Sequence, residues 1–314
     1  DAMKPPFAKS RSELCGTAGK VYTFMSGQEP VLLHDVQAEA DSSIRIGHVS
    51  WSSGGTKLAY TVMYTAEQAI WQAGYPSYPS GLWMFNLQTQ TPTWLLSNHY
   101  LQEGERDVNQ LRVVSASRWS ADDAALLLLY SYWEWSNYSI LESIEQQSDE
   151  DYLFDLDLGG HTSGFWTHDD QAILISGQNY GAVSDLIYVN RVTKESKLLI
   201  EGQVANLYVS DAQELPDGIV FLGGGRRLYL GSLSEQNFRY APVGPDALCK
   251  AHEPGHVEWD TTGRWGVLVC QYGGTTPQPV EIRAISLDGD NIDLTPYLDT
   301  LPQTPTIIRW GSEQ

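Results

Sequence analysis

One stretch of the sequence has the letters of a metal site: "HEPGH", His252 to His256. The pattern H-E-x-x-H binds zinc when a helix sets both imidazoles on one face, with the Glu beside the metal-bound water. Here Pro254 and Gly255 stand between the histidines, and these are the residue types least able to continue a helix. The stretch also runs into "VEWD", which reads as a strand, and His48 precedes "VSWS" as His256 precedes "VEWD". A histidine at one register of a repeat explains both, and no metal is expected. "GTAGKV", Gly16 to Val21, lacks the glycine spacing of a phosphate-binding loop and has Val21 where a Ser or Thr would hold magnesium, so it reads as a turn before a strand. "SDEDYLFDLDLGG" gathers Asp149, Glu150, Asp151, Asp155 and Asp157, oxygens of the kind calcium prefers. EF-hand spacing is missing, however, and Asp155 and Asp157 alternate with Leu as on the wet face of a strand. The nucleophile elbow G-x-S-x-G does not occur. No catalytic residue and no cofactor are assigned from these motifs.

The residues that remain must be placed by a repeat. "GHVSWSSGGTKLAY" around Trp51 has the same layout as "ASRWSADDAALLLLY" at Trp119, "SGFWTHDDQAILIS" at Trp166 and "GHVEWDTTGRWGVLV" at Trp259. "LYVSDAQELPDGIVFL", near Asp211, is a copy without the Trp, and "TPTIIRWGSEQ" at Trp310 is a truncated one. The period is about 45–50 residues, in the range of propeller blades. In each copy a strand ends at the aromatic residue, Gly, Asp and Ser make a tight turn, and an apolar strand follows. Two more strands come after it, such as "GLWMFNL" and "TWLLS", or "RLYLGSL" and "FRYAPV". In the second copy "YSILESI" and "DYLFDLDL" flank an acidic, Gln-rich stretch with room for a short helix.

Aromatic-Ser-x-Asp-Gly followed by an apolar strand resembles the TolB-like, WD-repeat-related propeller family, whose blades begin with a Trp-Ser-Pro-Asp-Gly turn. The copies read "WSSGG", "WSADD", "WTHDD" and "WDTTG", with "LPDG" in the fourth, so period and pattern carry the resemblance together. It implies an all-β β-propeller and an exported, envelope-associated role. Six four-stranded blades are expected, with five as the alternative. The last blade is shared between the termini, with "KVYTFM" and "PVLLHDV" outside and "TIIRW" inside. Residues 1–19 read as a tag-like lead-in, from which an export signal could have been removed, and 20–314 as a single propeller domain.

Composition narrows the partners. A net charge of −20 argues against nucleic acid and anionic membrane surfaces, whose binding draws on Lys and Arg. The longest apolar run, "AALLLLY", is too short to span a membrane as a helix. Charged residues are sparse beside Ser, Thr, Gln and Trp, which suits an extracytoplasmic protein (periplasmic, envelope-associated or secreted). Of the cysteines, Cys249 and Cys270 come near each other if a hairpin turns at Thr261–Arg264, leaving Cys15 over; whether they bond is open.

The first copy carries about twenty extra residues between its second and third strands, Met63 to Gly81, and long loops in compact repeats are commonly functional. In propellers these loops open on one face. Collected across the copies they offer Trp71, Tyr75 and Tyr78, then Trp133, Trp135 and Tyr138, then Tyr180, Arg226, Arg227 and Tyr272. Trp, Tyr and Arg dominate binding hot spots, although part of this set is expected to pack the loops onto their blades. The expected function is a non-enzymatic scaffold that binds a protein or peptide through this face. A carbohydrate-active propeller, either a sugar-binding module or a glycosidase, is the alternative. The paired acids of a glycosidase would come from different blades.

Overall fold

The structure is a computed structural model. It describes residues 9–12, 20–24, 31–36, 44–64, 81–97, 113–131, 136–142, 144, 153–156, 158, 163–177, 185–223, 227–232, 237–241, 249, 253–260, 262–271 and 281–295. Their hairpins form six antiparallel sheets, five of them four-stranded. The first sheet holds β1 (Lys9–Ser12), β2 (Lys20–Phe24) and β3 (Val31–Asp35). The second holds β4 (Ile44–Trp51), β5 (Lys57–Tyr64), β6 (Gly81–Asn86) and β7 (Thr91–Ser97). The third holds β8 (Val113–Trp119), β9 (Leu126–Ser131), β10 (Ser136–Leu141) and β11 (Leu153–Asp155). The fourth holds β12 (Ser163–Trp166), β13 (Ala172–Gly177), β14 (Asp185–Asn190) and β15 (Ser196–Ile200). After the one-turn helix α1 (Gly202–Ala205), the fifth holds β16 (Ser210–Leu215), β17 (Gly218–Gly223), β18 (Arg227–Ser232) and β19 (Asn237–Tyr240). The sixth holds β20 (Glu253–Trp259), β21 (Gly266–Gln271), β22 (Glu281–Ile285) and β23 (Asn291–Asp293).

The architecture is an all-β propeller of blade-like sheets. Its strands fall into two compact units, β1–β11 and β12–β23, with the boundary between Leu158 and Gly159. Within each unit the apolar core lies between neighbouring sheets. Val36, Ile46, Leu58 and Tyr60 join the first sheet to the second, and Leu82, Met84, Leu126 and Tyr130 the second to the third. In the other unit Leu174, Leu186, Ile219 and Phe221 join the fourth to the fifth, and Leu222, Leu228, Val257 and Leu268 the fifth to the sixth.

The Trp-Ser signature has a structural cause. Trp51, Trp119, Trp166 and Trp259 end the first strands of their sheets. The hydroxyl after the Trp closes the turn: Ser120 Oγ and Thr167 Oγ1 each accept from the backbone N–H five residues on, at 2.9 Å. Four residues after each Trp the backbone is left-handed, at Gly55, Asp123, Asp170 and Gly263, with φ of 65°, 55°, 56° and 70°. That conformation suits Gly and, among side-chain-bearing residues, Asp. In the copy without a Trp the equivalent strand end is Leu215, four residues past Asp211, and Pro216–Asp217 make a shorter turn into Gly218.

Other expectations meet the structure piecemeal. The stretch read as a lead-in supplies β1, paired with β2. The inner strand expected at "TIIRW" and the insertion over 65–80 lie outside the described residues. "YSIL" and "LFD" are strands β10 and β11. The helix that zinc binding would need is absent at "HEPGH": residues 253–256 lie in β20, with a bulge at Pro254/His256. Cys249 and Cys270 are joined by a disulfide, with Cα atoms 6.0 Å apart.

Candidate functional site

Of the ten loop residues singled out above, Trp71, Tyr75, Tyr78, Trp133, Trp135, Tyr180, Arg226 and Tyr272 lie outside the described residues. Tyr138 is the third residue of β10 and only 2% exposed, so its ring packs inside the third sheet. Arg227 opens β18 and is exposed.

Arg227 is the entry to a compact polar-aromatic cluster on the fifth sheet. Period-two alternation puts Arg227 and Tyr229 on one face of β18. The register pairs Tyr229 with Phe221 on one side and with Tyr240 on the other. The rings of Phe221 and Tyr229 stack with centroids 5.1 Å apart, Tyr229 and Tyr240 lie 4.9 Å apart, and Phe238 meets Phe221 edge-on at 5.3 Å. The Arg227 guanidinium sits over the Tyr240 ring at 4.9 Å, a cation–π contact. Gly223, the register partner of Arg227, permits this closeness: a Cβ there would come within 2.4 Å of the Tyr229 ring and 2.7 Å of the Leu207 carbonyl oxygen. The same approach seats the segment before β16 against the cluster. In that segment Asn206 and Tyr208 are left-handed, with φ of 53° and 49°.

These positions share one end of the sheet. Tyr208 precedes the first strand, Arg227 starts the third and Tyr240 ends the fourth, so antiparallel order gathers them at the rim where the loop between the second and third strands emerges. Tyr208 is 48% exposed and Tyr240 56%. A left-handed backbone is uncommon for an aromatic residue, and such strain tends to gather at functional sites. Burial, and then a hydrogen bond to the Tyr240 hydroxyl, push the Tyr229 phenol up to about 12. The same bond, seen from Tyr240, holds its phenol below the ordinary range, helped by Arg227. Arg227 itself makes no ion pair with any described carboxylate.

A second polar cluster lies on the inner strands of the fifth and sixth sheets. Asp211, buried and left-handed, takes His256 Nδ1 at 2.9 Å on one carboxylate oxygen and the Val257 N–H at 3.2 Å on the other. Gln213 donates to the Val257 carbonyl and accepts from the Trp259 N–H, each at 3.0 Å. His256 Nε2 is 3.8 Å from Glu258, and its ring lies parallel to Phe165 at 6.5 Å. The polar partners of His256 are carboxylates; the nucleophile-to-base contact of acyl transfer is not made among the described residues. The cluster joins two strands. The sequence ties His256 to the repeat register but carries no signal for Asp211, 45 residues away.

Many solved structures resemble this one in fold, among them the following three. TolB from Acinetobacter baumannii superposes with a TM-score of 0.56 at 13% identity, over 97% of this chain and 65% of its own. A TolB-designated protein of Agrobacterium tumefaciens gives 0.55 at 12%, over 91% and 89%. A puromycin-hydrolysing peptidase of Mycobacterium tuberculosis gives 0.55 at 12%, over 92% of this chain but 45% of its own, so the protein described here spans less than half of that enzyme. No protein-family model and no curated protein matches the sequence. At these identities the likeness speaks for the fold alone: the protein is an all-β propeller similar in fold to the TolB structures.

Proposed function

We propose that the protein is a non-enzymatic, extracytoplasmic scaffold, a single propeller domain over 20–314 to which the lead-in adds strand β1, and that it binds a protein or peptide through the rim bearing Arg227. One observation carries this reading: Tyr240 is a solvent-exposed aromatic under a guanidinium that no described carboxylate neutralises, and Tyr208 is a second exposed aromatic at the same end of the sheet. Aromatic and Arg side chains placed together are the usual anchors of protein interfaces. The TolB likeness is compatible with a binding role, and the Cys249–Cys270 disulfide fits an oxidising compartment. Among the described residues no helix is long and apolar enough to cross a membrane.

The test is selection from a random peptide library displayed with free C-termini. Peptides that bind the wild type and lose at least about tenfold in affinity to a Tyr208→Ala, Tyr240→Ala variant of unchanged melting temperature support the reading. No selected peptide, or binding indifferent to both substitutions, overturns it. The same two rings could stack on a sugar, so an oligosaccharide array on which only the wild type scores would favour the carbohydrate-binding alternative.

A further inference from the structure

Taking the rim as a peptide-binding site, we infer that it recognises a carboxylate, which the Arg227 guanidinium grips while Tyr208 and Tyr240 flank the segment that bears it. The protein has 39 acidic and 19 basic residues, so carboxylates outnumber the cations they could pair with by about two to one. Arg227 nevertheless pairs with none of the described carboxylates and lies against a ring instead. A guanidinium carries five N–H donors; lying over the ring occupies none of them, and the bond to the Tyr240 hydroxyl takes one. Tyr240 therefore anchors the guanidinium while most of its donors stay available, enough for a two-point grip on a carboxylate.

The surroundings strengthen this. The Tyr240 hydroxyl is made more acidic by its bonds to Tyr229 and Arg227, hence a better hydrogen-bond donor to an anion. Tyr208, held left-handed and exposed, supplies an apolar wall for the neighbouring part of the ligand. The overall charge of −20 repels anions at long range, but screening limits that field to about 8 Å at physiological salt. The expected ligand is accordingly one carboxylate in an otherwise neutral or basic segment. It comes from an Asp or Glu side chain or from a free peptide C-terminus.

The peptides selected above supply the probe. Each is remade with its acidic residues changed to Asn or Gln, and separately with an amidated C-terminus, and titrated against wild type, Arg227→Gln and Arg227→Lys. Arg239→Gln serves as control, since Arg239 pairs with Leu230 and so points to the opposite face of the sheet. The expected result is a loss of about tenfold or more when one carboxylate is neutralised. A similar loss is expected for Arg227→Gln, with no further loss when both changes are combined. Arg227→Lys should keep part of the affinity, and Arg239→Gln all of it. The arm that loses affinity identifies the carboxylate as belonging to a side chain or to the C-terminus. Peptides that bind equally well with every carboxylate neutralised, or equally well to Arg227→Gln, overturn the inference and leave the peptide-binding reading standing. If no peptide is selected, both fall together.

Discussion

Where the second sheet meets the third, Ser50 and Ser117 face each other with their hydroxyls 2.9 Å apart, and the Trp119 indole donates to the Ser50 carbonyl at 3.2 Å. Just beyond the strand ends, Asp123 accepts from the Ser53 and Gly54 N–H groups at 2.6 and 3.0 Å. Where the fifth sheet meets the sixth, the inner strands are joined instead by a buried carboxylate and a buried carboxamide, Asp211 and Gln213. Both seams leave backbone groups without a partner in their own sheet, and burial makes an unmet group costly. In the first seam the Trp119 indole meets that need at the interior, the two hydroxyls pair with each other, and the charge of Asp123 stays near the surface. In the other, the charge is buried and held by two donors, so losing one partner strands several groups at once.

That difference orders the expected effects of substitution. The largest belongs to Asp211→Ala, which strands the Val257 N–H and the His256 imidazole and puts a methyl group on a left-handed backbone. Denaturant unfolding should show a loss of about 4 kcal/mol. Asp211→Asn, which tolerates that backbone, should recover part of it. Replacing both Cys249 and Cys270 by Ala opens a link over a sequence separation of 21 and should cost about 3 kcal/mol by the same assay. Gln213→Leu leaves the Val257 carbonyl and the Trp259 N–H unmet, at about 2 kcal/mol. Ser50→Ala removes one neutral hydrogen bond and should cost about 1 kcal/mol. If Ser50→Ala proved as damaging as Asp211→Ala, the contrast between the seams would collapse.

The smallest stability effect is expected at the rim, where the polar groups face water. Tyr240→Phe removes the hydrogen bond to Tyr229 and should lower stability at neutral pH by less than Ser50→Ala does. It should also move a titration. Tyr229 is protonated in the form the fold favours, so its contribution is complete below the ordinary phenol value of 10 and fades as pH rises through about 12. Absorbance titration should place one tyrosine near 12 in the wild type, and Tyr240→Phe should bring it down toward 10, burial holding it short of that value. Tyr240 ionises below the usual range, so in the wild type its signal should come first.

Much of this architecture could be read locally. A Trp followed by Ser or Thr, then a left-handed position filled by Gly or Asp, specifies a hairpin through contacts five residues apart, and the period of such hairpins specifies blades. The copy without the Trp was legible only roughly, because Leu215 and a shorter turn replace the signature and shift the register by four residues from Asp211. For the site, Arg227 was legible as a loop-edge residue, whereas Tyr208 and Tyr240 were not. One precedes a first strand and the other ends a fourth, and neither belongs to the loops searched. Tyr138, chosen by its nearness to a loop, lies inside the sheet, since alternation along β10 aims its ring inward.

The residue pattern thus determined the all-β class, the hairpin unit, the turn chemistry and the acidity, because each depends on neighbours close in sequence or on a sum over all residues. Pairings across strands and sheets were decided by folding: Asp211 with His256, Cys249 with Cys270, Tyr229 with Tyr240, and Arg227 with a ring instead of a carboxylate. Such pairs have no preferred sequence separation. They arise when hydrogen-bond register and the packing of buried faces bring distant positions into contact, and many sequences would satisfy the same hairpins while pairing them differently.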